Sequence, residues 1–439
     1  MIHGIRLKLR QWKSRSPFYL DRLISQWERM HRHAIPLNPT VGSEMRLLII
    51  PCDPWTVTGS RGDQAMIAGV VDTLRQRGGV QEVAIVVATR EAAYTVQRAG
   101  FRALRLWPVA QADFQPCLSR LREYAPHACV ALGADTMDGF YSPSSTLRLL
   151  CLADLMARDG VHTCILGFSF NRQPVAQIAH AFQRVSSKLL LNVRDARSLQ
   201  RFEHATHTHA RLVADAAFLM QPDATTPQVD EVRQFVVQQR TAGRDVLAIN
   251  AHPMLFLGQA TNRVGRLQQA LAQALDALMR QRPIALLLLS HDDRAGHGDT
   301  PFLQALHETL SPEWTDRLLL PRRQMSAPEL KASAALVSGV VSGRMHLAVA
   351  ALGSGVPVAA LTYQDKFEGL FDHFGLDAQW LRSGEAALDA PALSRWMLDF
   401  FDALGPLTTQ VRERLPQVLR LATTNFDGVF PPLPSKEYP

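Results

Sequence analysis

Cysteine is scarce in this chain: five in 439 residues. Cys52, Cys117, Cys129, Cys151 and Cys164 form no C-x-x-C pair. Their odd number and wide spacing do not make a disulfide framework and suit a reducing compartment, so a cytoplasmic protein is expected. Long apolar runs are also missing; none reaches the ~20 residues that a membrane helix needs. The opening MIHGIRLKLRQWKSR is basic but has no apolar stretch behind it, and so is not a secretory signal. Charge of one sign is not in large excess. The 47 Lys and Arg outnumber the 40 Asp and Glu by seven, and residues 1–40 hold most of that surplus (8 − 2 = +6). A nearly neutral body argues against a broad nucleic-acid-binding face. A secreted mini-protein, a fibrous or disordered chain and an integral membrane protein are thereby excluded. What is there, 47% hydrophobic and 20% charged residues, is ordinary globular usage. At roughly 100–200 residues per domain, the length predicts two to four domains with cores large enough to need no disulfide or metal.

Residues 1–44 are expected to form a basic helical extension. Trp12, Phe18 and Trp27 stand among Arg and Lys there, a pattern that describes either a helix lying on an anionic membrane surface or one packing on the body of the protein. From Met45, short apolar runs alternate with helical segments: MRLLIIP, VAIVVAT, HACVALGA, HTCILGFSF and KLLLNVRD. Such alternation predicts a parallel sheet covered on both faces, a Rossmann-like domain over 45–220. Residues 221–244, with two prolines, read as a linker. A second Rossmann-like alternation fills 245–400 (VLAINAH, PIALLLLSH, AALVSGVVSG, VPVAALTY), and 401–439 is left as a C-terminal helix and tail. The fold class is therefore α/β with two parallel sheets. Two such halves predict a cleft, with ligands near the carboxyl ends of strands.

Polar residues after those strands are the candidates. GSRGDQAM, residues 59–66, joins the first strand to a helix; it is neither G-x-G-x-x-G nor a P-loop. Gly62 lets the backbone approach an anion, and Asp63 either caps the helix or accepts a proton from a substrate hydroxyl. LGADTMDGFYS puts Asp135 and Asp138 after a strand, either facing a ligand or closing an Asx turn. In NVRDARS, Arg194 either faces the cleft or pairs within its loop. SHDDRAGHGD, residues 290–299, has the residue types of a metal site, but no H-x-x-x-H or H-E-x-x-H spacing; it reads better as a substrate loop, with His291 closest to its strand. The richest segment is VSGRMHLAVAALGSGVPVAALTYQDK, residues 341–366. Ser342, Arg344 and His346 lie at a strand end and the first helical turn, where anions are favoured. Arg344 offers a planar fork and His346 a proton near neutral pH; Lys366, after the next strand, adds a second cation. Such a set suits a small, multiply charged anion.

These segments, in this order, resemble the polysaccharide pyruvyl transferase family over residues 45–376; S-G-R-M-H followed by G-V-P and Y-Q-D-K is close to its S-x-R-x-H…G-x-P…Y-x-x-K arrangement. Ser60-Arg61 departs from the family, which usually has Asn-Leu or similar before Gly-Asp. The resemblance implies a GT-B-like two-domain fold and transfer of the pyruvyl group of phosphoenolpyruvate to two hydroxyls of one sugar, with no cofactor and no metal. On this reading His346 would donate the proton, and a carboxylate facing the acceptor, Asp63 or Asp135, would take the hydroxyl proton. Arg344, Lys366, Ser342 and His291 would bind phosphoenolpyruvate; Gly62, Asp135, Asp138 and Arg194 would face the acceptor. The acceptor would be a polysaccharide unit, a lipid-linked precursor or a nucleotide sugar, reached from the inner membrane face if residues 1–40 touch lipid; self-association through the extension is the other reading. No nucleic-acid partner is expected. Two alternatives stand beside this one: a GT-B glycosyltransferase using a nucleotide sugar, and a non-catalytic carbohydrate-binding protein of a polysaccharide assembly complex.

Overall fold

The computed structural model describes residues 15–37, 45–57, 60–77, 80–106, 114–256, 262–292, 298–363 and 365–429. Short runs of Leu, Ile, Val and Ala become strands buried on both faces, as a parallel sheet between helix layers requires. In the first sheet these are Met45–Ile50 (β1), Val80–Val87 (β2), Arg102–Arg105 (β3), Ala128–Ala131 (β4), His162–Phe168 (β5), Leu189–Val193 (β6) and Arg211–Leu212 (β7). Their spatial order is β3-β2-β1-β4-β5-β6-β7, and every pairing is parallel. The second sheet comprises Asp245–Asn250 (β8), Ile284–Leu288 (β9), Leu318–Leu319 (β10), Gly339–Ser342 (β11), Val358–Thr362 (β12) and Leu381–Ser383 (β13). It runs β10-β9-β8-β11-β12-β13, again all parallel. β3 and β13 escape the sequence reading because they are edge strands: RALR and LRS are short and half solvated. In each sheet the order of winding reverses at one place, between β1 and β4 and between β8 and β11. Such switch points open a crevice outside the strand carboxyl ends.

The chain divides into two compact units, Met1–Thr58 with Val70–Ala216 and Leu421–Pro439, and Gly59–Gly69 with Ala217–Arg420. This differs from the expected boundaries in three ways. Residues 221–244 are not a linker: they contain helix Pro227–Thr241, started by Thr226, whose Oγ1 accepts from the Val229 amide, and by Pro227 in the first turn. Val229, Val232 and Val236 form its buried stripe, and the helix packs on β8 and on helix Ala327–Ala334. Residues 59–69, expected in the first domain, cluster with the second unit. The C-terminal segment holds the expected helix, Leu404–Thr423, but from Leu421 it clusters with the first unit. Asn425 is fully buried in the first unit, where its Oδ1 accepts from the Gly167 amide at 2.8 Å and its Nδ2 donates to Ala214 O at 2.8 Å.

The N-terminal extension contains helix Pro17–Met30, and its apolar side faces the protein: Leu20, Leu23 and Trp27 are buried against helix Pro143–Arg158. That face is therefore not offered to a membrane. Trp12 and the rest of residues 1–14 lie outside the described residues. No described helix is long and apolar enough to cross a membrane. The anchor is Asp154, whose carboxylate accepts from Trp27 Nε1 at 2.8 Å, Arg158 Nε at 2.7 Å and the Ser186 amide at 2.6 Å. Burial alone would raise this carboxyl; His31, whose Nε2 lies 3.5 Å from Oδ2, and hydrogen bonds from Ser186 and Arg158 outweigh it and hold the group below the usual carboxylate range. Trp27→Phe keeps most of the packing but removes one donor to a buried charge. It is expected to destabilise the first unit by about 2 kcal/mol, read from urea unfolding; an unchanged midpoint would show that Arg158 and Ser186 suffice.

Candidate active site

The second switch point assembles the candidate residues. β8 ends at Asn250 and continues into His252; β11 ends at Ser342 and turns through Gly343 and Arg344 into helix Met345–Leu352. β9 leads into His291 and Asp292, and β12 into Tyr363 and Lys366. Four adjacent parallel strands thus bring their carboxyl ends to one place. A fifth contribution comes from far away in sequence: Ser60 forms an antiparallel bridge with Asp292, and Arg61 Nε donates to Met325 O at 2.6 Å. This places the start of helix Arg61–Arg77, with Gly62 and Asp63, in the same cluster.

His346 lies in the first turn of its helix, against Gly62. A Cβ on Gly62 would stand 2.4 Å from His346 Nδ1, so any larger residue there forces the imidazole to shift. The His346 ring stacks on that of His291, centroids 6.5 Å apart with 10° between the planes. Asp63 sits next to Gly62 and is buried, 8% exposed. Lys366 Nζ lies 3.3 Å from Tyr363 Oη and 4.9 Å from the centre of the Tyr363 ring, which holds the ammonium over the aromatic face.

Arg344 departs from expectation. Its Nε and Nη2 donate to Asp299 Oδ1 at 3.0 and 2.6 Å, and Nη1 lies 3.2 Å from Asp292 Oδ2. The guanidinium is committed to two buried carboxylates instead of presenting a vacant fork. Ser342 differs likewise: its hydroxyl donates to Arg344 O at 2.8 Å and accepts from Arg344 N at 3.1 Å, closing the turn. Asp299 Oδ2 also accepts from Asn250 Nδ2 and from the amides of His291 and Asp292. Burial pushes the Asp299 carboxyl up and outweighs the opposing pull of Arg344. The acidic loop with the residue types of a metal site therefore spends Asp292 and Asp299 on Arg344. Among the described residues no cluster of three or more metal-binding side chains occurs; Asp293 and His297 lie outside them.

His252 was missed in the sequence reading, although INAHP places it just after an apolar strand. It is fully buried, and its Nε2 lies 2.8 Å from Gly343 O. Burial lowers its basicity well below the ordinary value, and Arg344 and Lys366 push the same way.

The acceptor-side candidates Asp135, Asp138 and Arg194 belong to the first unit. Asp138 is buried and organises its loop: its oxygens accept from the Phe140 amide at 2.7 Å and the Asn171 amide at 3.2 Å. Arg194 is buried with Asp215, Nη1 to Oδ2 2.8 Å, and its Nε donates to Ser169 Oγ at 2.8 Å. Asp195, its neighbour, instead caps helix Ala196–Thr206 through the Ser198 amide. Asp138 thus makes the Asx bonds of the turn reading, whereas Arg194 pairs outside its loop, with Asp215. Asp135, partly exposed, accepts from Tyr141 Oη at 3.2 Å. Ala134, beside it, holds a left-handed φ of 46°, a strained backbone of the kind that gathers at functional loops. A cavity of ≈ 630 Å³ in the second unit lies elsewhere, at the amino ends of its strands near Asp245, Ser338 and Pro357.

Comparison with known proteins follows the same lines. No curated protein matches the sequence. Solved structures share the fold at very low identity. The UDP-GlcNAc 2-epimerase of Neisseria meningitidis, solved bound to UDP-GlcNAc, is 11% identical with a TM-score of 0.53, covering 88% of this chain and 99% of that one. A glycosyltransferase of Rickettsia africae is 10% identical with a TM-score of 0.54, covering 88% and 97%. At this distance they establish the GT-B-like fold and nothing about chemistry. The family model for polysaccharide pyruvyl transferase matches residues 61–365, which take in Gly62, Asp63, Arg194, His252, His291, Arg344, His346 and, at its end, Asp365 beside Lys366. The chain belongs to the polysaccharide pyruvyl transferase family.

Proposed function

We propose that the protein moves the pyruvyl group of phosphoenolpyruvate onto two hydroxyls of one sugar, in a polysaccharide or its lipid-linked precursor, forming a cyclic ketal and releasing phosphate. The observation that carries this reading is His346: an imidazole in a helix first turn, held against Gly62 and stacked on His291, at strand ends shared with Lys366 and Arg344. In this scheme His346, as imidazolium, gives its proton to C3 of the enol. C2 becomes oxocarbenium-like, and a sugar hydroxyl adds there while its proton passes to Asp63. The C2–O bond to phosphate then breaks, the phosphate leaving with the electron pair, and the second hydroxyl closes the ketal. Of the two hydroxyl protons, one replaces that given by His346 and the other departs with phosphate. Lys366 supplies the positive charge that stabilises the anionic donor and the departing phosphate, while Arg344, paired with Asp292 and Asp299, braces the turn that carries His346.

Phosphate release from phosphoenolpyruvate, measured against a panel of sugar acceptors, tests the reading. Turnover is expected with at least one acceptor, and His346→Ala is expected to lower kcat by about 10²–10⁴-fold, the usual contribution of a general acid. Wild-type turnover in that variant would remove His346 from its role. Thermal stabilisation by UDP, with none by phosphoenolpyruvate, would favour a nucleotide-sugar glycosyltransferase instead.

A further inference from the structure

We infer that His252 is a positioning residue for this reaction: its Nε2–H holds the Gly343 carbonyl and thereby fixes the turn that aims Arg344 and His346. The inference rests on the functional reading above for its kinetic consequence, and on geometry alone for the rest.

A carbonyl oxygen only accepts, so the 2.8 Å contact between His252 Nε2 and Gly343 O places the ring proton on Nε2. The Gly343 amide is held from the same strand end, donating to Asn250 O at 2.9 Å. Both backbone polar atoms of Gly343 are therefore tied to the end of β8. The next residue is pinned at both of its own by the Ser342 hydroxyl. Packing leaves no play: a Cβ on Gly343 would lie 2.8 Å from His252 Cδ2 and 3.0 Å from Nε2. The Cδ2–Nε2 edge of the ring thus packs against Gly343, at the switch point between β8 and β11.

Burial and the charges around the ring disfavour its protonated form. Arg344 and Lys366 face it and disfavour a proton; Asp292 and the Gly343 carbonyl act the other way, and Tyr363 meets it edge-on at 6.0 Å. The ring is neutral at neutral pH, with Nε2 protonated and Nδ1 a bare lone pair, buried and with no hydrogen-bond partner among the described residues. A neutral ring adds no charge beside the two cations, and what it contributes is a donor at one fixed point.

Two substitutions in the full chain separate the roles. His252→Gln keeps a donor near the Nε2 position; His252→Asn is too short to reach Gly343 O. His252→Asn is expected to lower kcat about 100-fold with a smaller change in KM, as a roughly 1 Å misplacement of catalytic groups does, and His252→Gln to recover to within about fivefold of wild type. In NMR spectra the His346 imidazole signals and their titration are expected to shift in His252→Asn and return in His252→Gln. Wild-type kcat and unshifted His346 signals in His252→Asn would overturn the inference, as would a folded His252→Gln as impaired as His252→Asn. If the wild type releases no phosphate with any acceptor, the functional reading fails, and the His346 signals still decide whether His252 positions the turn.

Discussion

Gly62→Ala is expected to cost about 100-fold in turnover while the protein stays folded. The added methyl would stand 2.4 Å from His346 Nδ1, 2.9 Å from Cε1 and 3.1 Å from Cγ. Cβ atoms essentially never approach other atoms within 3.0 Å, and two residues earlier Ser60 bridges Asp292, which ties down the start of the helix. The imidazole is the part that yields, and it leaves its stack on His291. Its proton then arrives off line, which is costly because proton transfer demands close geometry. Phosphate-release kinetics with a parallel thermal melt check this. Full activity in a well-folded variant would mean that His346 tolerates displacement and is not the proton donor.

Asp299→Ala is expected to have the largest effect on stability. This carboxylate is fully buried and accepts from five directions: Arg344 twice, Asn250 Nδ2, and the amides of His291 and Asp292. Without it, a guanidinium only 11% exposed loses the carboxylate that takes its Nε and Nη2, and three further donors lose this acceptor. Removing one member of a buried ion pair typically costs about 3–5 kcal/mol, chiefly because the remaining charge stays desolvated. The second unit should therefore melt at clearly lower temperature, with the first unit little changed. A variant as stable as the parent would show that Arg344 finds another partner or turns outward.

His346 and Lys366 were legible in the sequence because each follows an apolar strand by a few residues, and strand ends are where α/β sheets bind ligands. His252 obeys the same rule, but the sequence reading did not single it out. Arg344 was recognised as important, but its partners were not. Asp292 and Asp299 are close in sequence to each other and about 45–52 positions before Arg344, and nothing local to either segment reveals that they meet. Asp138 and Arg194 show the converse: polar residues after strands that turn inward to amides, a serine and a carboxylate.

Alternating apolar runs and helical segments determined two parallel α/β sheets, since a strand buried on both faces and a helix with one apolar side can pack only in layers. Tertiary structure alone decided that residues 59–69 cluster with the second unit, that residues 227–241 are a packed helix of it, and that the arginine after β11 is neutralised by two aspartates. Each of these depends on side chains far apart in sequence meeting in space, where desolvation and close packing select the partners and local pattern carries no trace of them.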